Sequence, residues 1–111
     1  WRMYVLRGEI EVETHWWQLA LDSSNLRSRT SFMLTSSTTM LLWHGCRVSN
    51  ELKSLAVKSA VKIREKRPSE FDFMPNTDIE FSEMQEGDEI NLFWEAIQER
   101  PNRRKYHSLL N

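Results

Sequence analysis

Every position from residue 3 to residue 6 is apolar, reading Met-Tyr-Val-Leu. A strand that is apolar on both faces is covered on both faces, so this run predicts a central strand. Gly8 then permits a turn. Ile10 and Val12 alternate with Glu9, Glu11 and Glu13, which is the period-2 pattern of a half-exposed strand with its acids on the solvated side. Residues 16–21 are apolar without a clear period, and the polar residues 22–25 break them. Two further apolar runs, 32–34 and 40–43, are joined by the polar connection of Ser36, Ser37 and Thr38 and read as a hairpin whose second strand ends at Gly45.

The period changes after Gly45. Ser49 is a good N-cap and Glu51 suits the first turn. Leu52, Leu55, Ala56, Ser59, Ala60 and Ile63 recur on one side at helical spacing. Lys66 and Arg67 stand where cations favour the helix dipole, and Pro68 stops the helix. A long helix over residues 49–66 follows. Pro75 and Asn76 mark a loop, Ile79 and Phe81 alternate with Asp78 and Glu80 as a strand, and Gly87 interrupts it. Asp88 is positioned to cap a shorter helix through Ile90, Leu92, Phe93, Trp94 and Ile97. One mixed sheet with a helix on each face accounts for this order and covers the doubly apolar first strand.

Composition narrows the class. The chain has 111 residues, 40% hydrophobic and 28% charged, the profile of one ordinary globular domain. A chain that opens on Trp1 rather than Met is expected of a fragment cut from a larger protein. The net charge of −1 provides no field to draw nucleic acid. The single cysteine, Cys46, makes no internal disulfide, which fits a reducing compartment. No long uncharged apolar run marks a membrane span.

Five pieces, met in order, resemble the repeats of the gelsolin/villin family. RMYVLRGE at residues 2–9 is similar to the family's first strand, which ends in RG. LRSRTSFML at 26–34 takes the place of LNSGDCFIL. LLWHG at 41–45 is similar to a strand ending in W-x-G. The long helix follows at the family's distance, and EGDEINLFWEAI at 86–97 resembles E-G-x-E-x-x-x-F-W-x-x-L. WRMY, LRSRTS and WHGC point further, to a membrane-associated branch of that family. The resemblance covers nearly the whole chain. It implies an α+β, gelsolin-like (ADF-H/gelsolin type) domain over 1–111, a five-stranded mixed sheet between one long and one short helix. It also implies a non-catalytic repeat of a cytoplasmic, actin-organising protein at the inner face of the plasma membrane, with neighbouring repeats, actin and anionic membrane as partners. The alternative is a calcium-regulated repeat that binds, severs or caps actin filaments.

The chain departs from the family at calcium. Calcium takes several hard oxygen ligands at once. The family supplies an Asp after the Ser-Gly of the LNSGDCFIL strand and a Glu in the first turn of the long helix. Here Arg29 and Thr30 stand at the Gly-Asp pair and Leu52 stands at the Glu, while Glu51 is one residue off, a rotation of about 100° on a helix. These degenerate positions predict no metal and no cofactor. The family's Pro before the short helix is replaced near Ile90, and its Gly-Gly is lost at Gln98 and Glu99.

Other constellations favour plain readings. His15, His44 and Cys46 lack metal-ligand spacing, and His44 with Cys46 reads as a strand end. No motif orients a nucleophile with a base, so an enzyme is not expected. The five tryptophans fall on separate apolar runs and are assigned to the core rather than to nucleic acid. Two faces of the long helix are candidates for contact. Val57 and Val61, flanked by Lys53 and Arg64, lie away from the Leu52–Ala56–Ile63 stripe and form a candidate partner face, which in the family docks on actin. Lys58, Lys62 and Lys66, with Arg67 beside them, form a stripe similar to the family's phosphoinositide-binding segments, although a solvated helix face is the favoured reading. Arg103, Arg104 and Lys105 read as a surface turn.

Overall fold

The computed structural model describes residues 1–8 and 14–97. The elements run β1 (Arg2–Arg7), β2 (His15–Leu19), β3 (Ser31–Thr35), β4 (Thr39–His44), α1 (Asn50–Lys66), β5 (Glu80–Gln85) and α2 (Asn91–Ala96), with short 3₁₀ turns at Ser23–Asn25 and Ser69–Phe71. The strands form one sheet in the order β2-β1-β3-β4-β5. β4 and β5 are parallel, as a strand–helix–strand crossover through α1 requires, and the other neighbours are antiparallel. The expected strand at Ile10 and Val12 lies outside the described residues, as do Glu9, Glu11 and Glu13, Gln98 and Glu99, and Arg103, Arg104 and Lys105.

β1 is covered on both faces, as its composition predicts. Met3 and Val5 enter one core layer with Phe32, Leu34, Leu41, Trp43, Phe93 and Trp94, on the side of α2. Tyr4 and Leu6 enter the other with Met33, Met40, Leu42, Phe71 and Ile79, on the side of α1. α1 lies across β3 and β4. Its Ser49 cap accepts a hydrogen bond from the Leu52 amide at 3.2 Å. It ends at Arg67 in the left-handed conformation, with Pro68 after it.

The structure corrects four expectations. Trp43 and Trp94 are core, but Trp1 and Trp17 are 40% and 57% exposed. Trp17 sits on edge strand β2, opposite Val5, and stays outside the core layer that its neighbour Leu19 packs against. Leu52 is half-buried and outside both core layers; α1 settles instead on Ala56 and Ala60, with Val57 and Ile63 packed beside them. Alanines let the helix axis come close, and that choice turns Leu52 toward the rim. Asp88 does not cap α2. Its amide donates to the Gln85 carbonyl in a turn, and Ile90 occupies the cap with no side-chain hydrogen bond. Finally, Val57 packs on the core rather than away from it.

Candidate functional site

The residues that carry the resemblance meet in space. A Cβ on Gly45 would clash with the Ser28 carbonyl, so the W-x-G glycine is there to let two backbones touch. The Arg47 amide donates to that same carbonyl at 2.8 Å. Glu86 accepts from Ser28 Oγ at 3.0 Å and from the Cys46 amide at 2.8 Å. Glu89 accepts from Trp43 Nε1 at 2.8 Å and from the Gly87 amide at 3.0 Å, and Gly87 has φ 90°. The LRSRTS, WHGC and EGDE segments therefore interlock through their own polar groups. Each of these acids is occupied in holding the segments at the strand ends together.

His44 lies next to this junction and is fully buried. Its Nδ1 is 2.7 Å from Ser31 Oγ and its Nε2 is 2.7 Å from Glu83 Oε2. A neutral ring with the proton on Nε2 donates to Glu83 and accepts from Ser31, so both nitrogens are satisfied without a buried charge. Burial pushes the ring's pKa below its ordinary 6.5; Glu83 pulls the other way, and Lys53 adds a smaller downward push. Hydroxyl, imidazole and acid stand in the order of a catalytic relay, but Ser31 is 1% exposed and reaches no substrate. His44 does not join Cys46, which is exposed, or His15, which is on the edge strand. Among the described residues no three of His, Cys, Asp and Glu group as metal ligands.

The positions equivalent to the family's calcium ligands do not fit the ion. Arg29 is exposed, Thr30 Oγ1 donates to the Leu6 carbonyl at 3.3 Å, and Leu52 is half-buried. None supplies a carboxylate. Glu51 is exposed on α1, and Glu83, on β5, is engaged by His44.

The candidate partner face is split. Lys53 and Val57 are half-buried on the flank over the core, and Arg64 Nε donates to the Ile79 carbonyl at 2.8 Å, fastening α1 to the approach of β5. Val61, 38% exposed, remains on the outer surface. The basic stripe is also reduced. Lys58, Lys62 and Lys66 are exposed, but Arg67 reaches the Met74 carbonyl at 3.0 Å and belongs to the loop. One feature went unread in the sequence, a groove of about 410 Å³ between β2, the C-terminal half of α1 and the turn at Ser69–Phe71. Its signal was Trp16, whose Nε1 donates to Ser59 Oγ at 2.8 Å, but residues 43 apart in sequence do not announce such a contact.

No family model matches the chain. The chain is 34% identical to bovine supervillin over 112 residues, a match that covers 99% of the chain and 5% of supervillin. Two solved structures share the architecture. One is Thorarchaeota 2DGel3 in complex with rabbit actin, with a TM-score of 0.69 at 19% identity over 86% of this chain and 44% of that one. The other is Thorarchaeota ProGel, also with rabbit actin, with a TM-score of 0.67 at 13% identity over 86% of this chain and 97% of that one.

Proposed function

With a gelsolin-like fold and a sequence that resembles a segment of supervillin, we propose that this chain is a non-catalytic, calcium-independent gelsolin-like repeat that works by contact in an actin-organising protein. The observation that carries the reading is the use of its polar groups. Ser31 and His44 tie β3, β4 and β5 together through Glu83, Glu86 holds Ser28 and the turn after β4, and Glu89 holds Trp43, which leaves the outer side of α1, with Val61, for a partner. Actin is the partner suggested by the two structural neighbours, both solved bound to it. Calcium independence is supported by the donor set at Arg29, Thr30 and Leu52, which offers the dication no carboxylate. Neighbouring repeats of the same protein are the other expected contacts, in the cytoplasm at the actin cytoskeleton.

Co-sedimentation with filamentous actin, with chelator and with millimolar calcium, tests this. Equal pelleting in both conditions, reduced by Val61→Asp, is the expected result. Pelleting only with calcium would instead support the calcium-regulated severing or capping repeat, and none in either condition removes direct actin binding. A second reading rests on Lys58, Lys62 and Lys66, exposed along one side of α1: attachment to an anionic membrane, at about 1 kcal/mol per basic residue. Changing all three to Glu is expected to abolish binding to phosphoinositide vesicles with little change in melting temperature. Unchanged binding would discard the stripe.

A further inference from the structure

The sheet has two edges, and they are built differently. β5 carries Glu80 and Glu83. Charges of that kind are how natural sheets discourage another strand from adding to an edge. β2, at the other end among the described residues, reads His-Trp-Trp-Gln-Leu, without Asp, Glu, Lys, Arg or Pro. Both faces of β2 are also incompletely covered. On the α2 side Trp17, opposite buried Val5, is 57% exposed. On the α1 side the groove of about 410 Å³ runs between β2 and α1, floored by Tyr4, Trp16 and Phe71, with Ser59 and Ile63 from the helix. That volume lies in the range of pockets that hold a ligand. Among the described residues that line it, histidine aside, the acid or base is Glu70, which is exposed.

One occupant accounts for the uncharged edge, the exposed Trp17 and the groove together. A strand laid along β2 continues the backbone hydrogen bonding and sends alternate side chains to opposite faces. One set enters the groove, and the other set covers Trp17. We propose that the β2 edge and the groove beside α1 form a docking site for an extended peptide segment of a partner protein. The segment is uncharged where it pairs, carries an aromatic side chain that packs on Tyr4, Trp16 and Phe71, and has a basic residue at the end that meets Glu70. This site is separate from the outer face of α1 proposed for actin.

A random heptapeptide library displayed on phage and selected against the chain tests the site. The selected peptides share an aromatic residue and a basic end. They shift the NMR amides of β2 together with those of Ser59 and Ile63. Methylating alternate backbone nitrogens of the peptide weakens binding at least about tenfold, which a side-chain-only contact does not predict. Ser59→Phe, which fills the groove, and Glu70→Lys, on the surface, each weaken it, and Glu70→Lys leaves the melting temperature near the parent value. Selected peptides whose binding ignores the methylation and both substitutions overturn the proposal, as does a selection that yields no binder above a scrambled control. Dimerisation of the chain that protects the same β2 amides overturns it in favour of a second copy.

Discussion

On one face of the sheet a 17-residue helix fully buries two alanines; on the other, a six-residue helix buries Phe93, Trp94 and Ala96. The short helix brings mass. Phe93 stacks near Trp43 at 6.3 Å and meets Trp94 edge-on at 5.2 Å, while Phe32 meets Trp43 edge-on at 5.6 Å. The long helix brings closeness. Its alanines let it settle onto β3 and β4, and its remaining side chains work at the perimeter, Arg64 on the Ile79 carbonyl and Ser59 under Trp16. The difference separates two duties. Under α2 the helix itself supplies large rings to the core, in a small aromatic layer. α1 keeps most of its circumference open, which is what a contact surface needs.

The largest expected effect breaks the aromatic layer. Phe93→Ala removes a fully buried ring and is expected to cost about 3–5 kcal/mol by chemical denaturation. A loss below about 1 kcal/mol would mean that the rings under α2 contribute little. Ala60→Leu tests the other face by overfilling it, at about 1–3 kcal/mol. If that variant is as stable as the parent, α1 does not sit as closely as its alanines imply. Ser49→Ala removes the cap on the Leu52 amide and should cost about 1 kcal/mol.

His44 provides a pH test at the junction between the faces. Its pKa in the fold lies below the ordinary 6.5, so the unfolded chain takes up a proton first as pH falls. Its contribution is therefore fully present above about 6.5 and lost as pH drops toward the folded value. Melting temperature measured between about pH 5 and 8 should fall on the acid side, and His44→Gln should flatten that slope. An identical slope in the variant would assign the acid loss to other groups. The smallest effect is expected at Val61. Val61→Ser, on the outer side of α1, should change stability by less than about 0.5 kcal/mol. A larger loss would show that this surface is part of the core after all.

Leu52→Asp marks where reading the sequence went astray. The stripe at Leu52, Ala56 and Ile63 makes Leu52 look central, and its replacement by a charge would then unfold the domain. In the fold Leu52 is half-buried at the rim, so a milder loss is expected. Periodicity says that a helix has an apolar side, but it does not say which residue of that side points at the sheet. The same limit applies to Trp17. An apolar run assigns its tryptophans to the core, while burial depends on which parts of the chain come to lie over them.

The candidate sites show the same division. That Arg29, Thr30 and Leu52 carry no carboxylate was legible, because ligand chemistry belongs to residue type. Lys58, Lys62 and Lys66 were legible as one exposed side, because four-residue spacing repeats on a helix. Arg67 was not separable from them in sequence, since its role comes from the Met74 carbonyl. The pairing of Trp16 with Ser59, and hence the groove, had no local signal at all.

By itself the sequence determined the first strand covered on both faces, the paired strands after the polar break, the long helix with its cap at Ser49 and its stop at Pro68, and the strand and short helix that follow, but not β2 at His15–Leu19, whose run has no clear period. These follow from short-range periodicity, backbone preferences and the chemistry of single side chains. Only the tertiary structure decided that Gly45 is needed where it meets the Ser28 carbonyl, that His44 is buried between Ser31 and Glu83, and that Trp17 stays exposed on an edge. Each of those depends on residues brought together from distant parts of the chain, and a pattern read along the chain carries no record of that distance.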